Sequence, residues 1–168
     1  HRFQDIRDAN EGPLFAELAL ISSHAPWVPI LPVLDDWQSI GNGEVFRRWE
    51  GAGEAPVSLW RDPDRVREHY GQAIAYALEV AGGFAAHYLR QDALMIILGD
   101  HQPAPLITGE DASRDVLVHV ISANPSLVEP FLSGELPGFQ PGIRPDPETA
   151  GATMSRFRPF LHRHFGEL

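Results

Sequence analysis

Asp100 and His101 stand side by side directly after an apolar run, Leu94 to Leu98, and a glycine, Gly99. A short apolar run bounded by glycine reads as a buried strand, of the kind found in a parallel sheet covered on both faces. Ligands of open α/β sheets sit just outside the carboxyl ends of the strands. The run is therefore expected to carry a carboxylate and an imidazole to an active edge. That pair suits a divalent metal such as Zn²⁺ or Mn²⁺. Two donors do not complete a site, so the others must come from elsewhere. The plainer alternative is an aspartate capping a turn beside a satisfied histidine. His24 follows a second apolar run, Leu18 to Ser23, and Pro26 and Trp27 stiffen the turn behind it. Three polar residues at strand ends are expected to share one crevice.

The segment LMIILGDHQP, Leu94–Pro103, resembles the GDHG-type motif of the alkaline phosphatase superfamily. The resemblance is to its sulfatase-like branch, which includes lipoteichoic acid synthases and phosphoglycerol transferases. It implies that Asp100 and His101 bind the catalytic divalent metal (Mn, Zn, Mg or Ca). Gln102 and Pro103 depart from the motif, whose next residues are a small or aromatic residue and a glycine. Tyr70–Arg90, YGQAIAYALEVAGGFAAHYLR, resembles the helix before that strand, matching in kind at Tyr70, Tyr76, Gly82 or Gly83, Phe84 and Leu89. Leu18–Trp27, LALISSHAPW, resembles the segment whose histidine contacts the substrate's phosphate-bearing group, which carries over to His24. Trp27, its neighbour, is expected at the site rim as a second substrate-binding residue. Arg114–Ser122, RDVLVHVIS, stands where the branch has its next strand. The resemblance covers most of residues 14–125.

It implies a three-layer α/β/α sandwich, incomplete in this chain, and a metal-dependent hydrolase or transferase of phosphate or sulfate esters. In that chemistry a metal-activated Thr or Ser attacks phosphorus or sulfur, and water or an alcohol resolves the intermediate. Asp100 and His101 hold the metal and His24 steadies an anionic oxygen. Only 23 residues precede His24, and none follows a buried strand as the nucleophile must. Residues 1–168 are therefore expected to be the C-terminal part of one catalytic domain, inactive alone. The expected partners are an anionic ester substrate and either the missing N-terminal part or a second copy. The parent is expected to be bacterial and extracytoplasmic, membrane-anchored or secreted. A second reading is a catalytically inactive sulfatase-like module that binds or supports; Gln102 and Pro103 favour it.

Composition narrows the partners. The net charge of −10 argues against nucleic acid and against anionic lipid heads. It does not argue against an anionic substrate, since a bound metal reverses the local sign. The absence of cysteine excludes disulfides and thiolate metal sites. No run of 18 apolar residues exists to span a membrane.

The elements that must position these residues read as follows. Glu11–Glu17 is expected to be a short helix and Leu18–Ser23 a buried strand. Ala25–Trp60 is a long irregular excursion carrying four tryptophans, of a length that is often functional or covered. Asp62-Pro63-Asp64 is a helix start, and the amphipathic spacing runs to about Arg90. Leu94–Leu98 and Val116–Ile121 are the next strands, and strand–helix–strand order implies a right-handed parallel crossover. Pro125–Ser133 is a helix capped by Asn124, Gly134–Glu148 a Pro/Gly-rich loop, and Ala152–Phe165 a closing amphipathic helix bent or begun at Pro159. His69 and His87 are expected on solvated helix faces and His119 within a strand. His162 and His164 are two apart on a helix and cannot chelate together.

Overall fold

The computed structural model describes residues 2–142 and 149–166. The chain falls into two compact units, His1–Ala81 and Gly82–Leu168.

The first unit opens with helix α1, Arg2–Asp8. The helix expected at Glu11–Glu17 is absent, and the chain from Gly12 to Leu20 has no helix or strand; a residue before proline, as Gly12 is before Pro13, disfavours the α region. The expected strand at Leu18–Ser23 is also absent. A strand needs a neighbour to take its backbone groups, and no ladder forms there. Instead Ile21–Ser23 makes one 3₁₀ turn, with Leu18 and Ile21 66% and 83% exposed. The excursion that follows is built from 3₁₀ turns at Trp37–Ile40 and Glu44–Trp49 and a one-turn helix, α2, Pro56–Leu59. Asp36 caps the first of these turns, accepting from the Gln38 N–H at 2.9 Å.

Helix α3, Pro63–Tyr88, begins as expected at the Asp–Pro–Asp signal. The Asp62 carboxylate accepts from the N–H groups of Asp64 and Arg65, at 3.0 and 3.3 Å. Gly82 and Gly83 do not interrupt it. Its buried positions are Val66, Ala73 and Ala81. Spacings of seven and eight keep these residues on one stripe of the helix. With Leu59 and Trp27 they are the buried apolar residues among the described residues of the first unit.

The second unit holds a two-stranded sheet, β1 (Met95–Leu98) and β2 (Val118–Ile121). The strands run antiparallel, pairing Met95 with Ile121, Ile96 with Val120, Ile97 with His119 and Leu98 with Val118. This corrects the expected buried parallel strand. The segment between them contains only the one-turn helix α4, Pro105–Thr108. A parallel return needs a crossover element packed on the sheet, and without one the chain simply doubles back. β1 is half-buried and Leu98, at its end, is exposed.

Helix α5, Pro125–Leu132, starts under the Asn124 cap, whose Oδ1 accepts from the Ser126 N–H at 3.1 Å. Helix α6, Met154–Phe165, runs through Pro159 rather than starting there. Part of the expected Gly134–Glu148 loop, residues 143–148, lies outside the described residues. Phe131 of α5, Leu136 and Phe160 of α6 form the core of this unit. Ile96 and Val120, a cross-strand pair on one sheet face, pack against it with Phe139, Phe157 and Phe165.

Candidate functional site

Asp100 and His101 emerge where β1 ends, on the loop that leads to α4. The Asp100 Oδ1 accepts from the His101 N–H at 2.9 Å, which holds the two residues in a tight turn. Its other oxygen, Oδ2, lies 3.7 Å from His101 Nε2. Both side chains project into solvent, 91% and 74% exposed. The His101 Nδ1–H donates to the Gln102 carbonyl at 2.8 Å. That bond fixes the tautomer and leaves Nε2 with its lone pair outward, the arrangement a metal-binding histidine adopts. Gln102, a departure from the motif, clips the loop back by donating its amide to the Asp115 carbonyl. Gly99 N–H donates to the Leu117 carbonyl at 3.3 Å and extends the pairing by one step.

Asp100 Oδ2 and His101 Nε2 stand at a separation comparable to that of two donors on one ion. Two bonds of about 2.1 Å at a tetrahedral angle place donor atoms about 3.4 Å apart, close to the separation here. Among the described residues no group of three His, Cys, Asp or Glu side chains could hold a metal ion. Among the described residues Asp100 and His101 therefore stand as a pair without a third such side chain.

His24 and Trp27 belong to the first unit, Asp100 and His101 to the second. His24 is exposed, and its Nδ1–H donates to the Ala25 carbonyl at 2.8 Å. A contact from Nε2 to an anion then requires the imidazolium, in which both ring nitrogens are donors. Trp27, expected at the site rim, is buried, 8% exposed. Its ring meets Tyr70 edge-on, centroids 5.4 Å apart, and its Nε1–H donates to the Ser23 carbonyl at 2.8 Å. Burial raises the Tyr70 hydroxyl above its ordinary pKa. Trp27 therefore anchors the turn that displays His24.

His69 departs from the solvated position expected of it. Its Nδ1–H donates to the Trp27 carbonyl at 3.2 Å, and its Nε2 lies 4.0 Å from Glu54 Oε1. Glu54 is held through both oxygens by Arg65, whose guanidinium is pushed further up by that carboxylate. Residues 54, 65 and 69 bring together a loop and two successive turns of α3. The i, i+4 spacing of Arg65 and His69 was readable, but their partner's placement was not. His87 is exposed as expected, with Nδ1–H on the Gly83 carbonyl at 2.8 Å.

No family model, no curated protein and no solved structure matches the chain. Among the described residues no helix is long and apolar enough to cross a membrane.

Proposed function

We propose that this chain supplies part of the divalent-metal site of a sulfatase-like hydrolase or transferase acting on phosphate or sulfate esters. One observation carries the reading. Asp100 and His101 project from the end of β1 with their free donor atoms 3.7 Å apart and the imidazole tautomer set by Gln102. When bound there, a divalent ion supplies Lewis-acid charge stabilisation to a phosphoryl or sulfuryl oxygen. Asp100 contributes negative charge to the ion, and His101 a neutral nitrogen oriented by the Gln102 carbonyl. His24, which the resemblance makes a substrate contact, offers an anion an Nε2–H only as the imidazolium. Trp27 keeps His24 in place from beneath. The nucleophile and remaining metal donors of this scheme are not assigned among the described residues. In this reading β1 and β2 belong to a larger three-layer α/β/α sandwich.

The alternative is an inactive sulfatase-like binding or structural module. The observation in its favour is that no third donor joins Asp100 and His101 among the described residues.

The two separate on the full-length gene product loaded with Mn²⁺ or Zn²⁺. Metal content is measured alongside hydrolysis of bis(p-nitrophenyl) phosphate and p-nitrophenyl sulfate. The enzyme reading expects turnover of one ester, and loss of both turnover and stoichiometric metal in Asp100→Ala and His101→Ala. Unchanged metal content in both variants rejects the ligand assignment, and no turnover of either ester by metal-loaded wild type favours the inactive module.

A further inference from the structure

A small cavity in the first unit is independent of the metal pair. It is a half-open depression of about 260 Å³, lined by Val28, Ile30, Leu31 and Trp49. Its polar groups are Glu54, His69 and Gln72. The polar end offers acceptors. His69 spends its Nδ1–H on the Trp27 carbonyl, so Nε2 presents a lone pair. Glu54 Oε1 lies 4.0 Å from that nitrogen and, as a carboxylate oxygen, keeps acceptor capacity beyond its bond to Arg65. The Arg65 guanidinium is engaged on Glu54 and is not part of the wall. Gln72 turns one amide N–H onto Glu68, at 3.1 Å. Arg48 lies 3.9 Å over the Trp49 ring, so a ligand's cation is not drawn to that end.

We infer that this cavity binds a small primary amine with an apolar body, its ammonium bridging Glu54 Oε1 and His69 Nε2. One ammonium nitrogen at about 2.8 Å from each acceptor spans their separation and keeps a third N–H for water. The apolar body lies on Val28, Ile30 and Leu31. An anion of the same shape meets the Glu54 carboxylate and no Lys or Arg on the lining. The volume sits just below the usual range of ligand cavities, so the occupant is of fragment size and binds at about millimolar concentration.

The test is titration of the chain with phenethylamine, followed by backbone amide NMR shifts, with phenylacetate as the matched anion. Saturable shifts confined to residues 28–31, 49–54 and 69–72 are expected with the amine and not with the anion. Glu54→Gln keeps an acceptor for Arg65 but removes the charge, and is expected to weaken the amine about tenfold. Ala52→Phe adds bulk at an exposed wall position without touching the ion pair, and is expected to abolish the shifts. Absence of saturation by the amine, equal binding of phenylacetate, or unchanged amine affinity in Ala52→Phe overturns the proposal.

Discussion

The indole of Trp27 lies flat on that of Trp60, ring centroids 5.4 Å apart and planes 9° from parallel. The Trp60 Nε1–H reaches the Pro26 carbonyl at 3.5 Å, so the same pair also ties the chain beside His24 to the end of α2. Trp27 adopts this position with φ at +58°, a left-handed conformation that bulky side chains avoid. The aromatic stack and the hydrogen bonds around it offset that backbone cost, of order 1–3 kcal/mol.

Trp27→Ala removes the buried ring and leaves a Cβ in the left-handed region. The expected loss is about 3–5 kcal/mol of first-unit stability, read by urea unfolding. Trp27→Gly removes the same ring but relieves the backbone, and is expected to recover about 1 kcal/mol of that loss. Glycine doing no better than alanine would show that the left-handed turn is not what Trp27 sustains.

Phe131 and Leu132 are neighbours with opposite prospects. Phe131 is 1% exposed and rings with Phe160 at 5.0 Å and Phe139 at 5.3 Å, whereas Leu132 is 45% exposed. Phe131→Ala is expected to cost about 3–5 kcal/mol and Leu132→Ala less than about 1 kcal/mol. Equal unfolding midpoints for the two variants would contradict the core assignment.

Glu135 carries a pH signature. His164 donates from Nε2 to its Oε2 at 2.9 Å, and Arg163 pairs with its Oε1 at 2.8 Å. The hydrogen bond from His164, with the nearby arginines, holds the Glu135 carboxyl below its ordinary 4.5. A depressed carboxyl stabilises the folded form fully above the unfolded value and loses that contribution as pH falls through the folded one. Melting temperatures from pH 6 down to 3 should therefore fall less steeply in Glu135→Gln than in wild type. Parallel curves would mean the bond contributes nothing.

Asp100 and His101, the proposed metal ligands, are expected to contribute little to stability. Both are solvent-exposed, and His101 bonds to Asp100 and to Gln102 of the same loop. Asp100→Ala and His101→Ala are each expected to shift unfolding free energy by no more than about 0.5 kcal/mol. Paired with the metal measurement, a melting curve separates lost ligation from lost structure. A destabilisation of several kcal/mol would make the pair a structural turn.

What could be read from the chain was local chemistry. Asp62 before Pro63 started α3, Asn124 before Pro125 started α5, and the apolar spacing of residues 154–165 made α6, because caps and helical periodicity act within a turn or two of themselves. The adjacency of Asp100 and His101 at the end of β1 was legible for the same reason. Tertiary structure alone decided what the apolar runs do. Leu18–Ser23 and Leu94–Leu98 look alike in sequence, yet only the second found a partner, Val118–Ile121, and paired antiparallel. A strand's backbone groups are satisfied by another segment, so neither its existence nor its direction is written in its own residues. The same holds for Trp27, which neighbours His24 in sequence but is buried by Trp60 and Tyr70, and for His69, whose place is set by Trp27 and Glu54 from more than a dozen residues away.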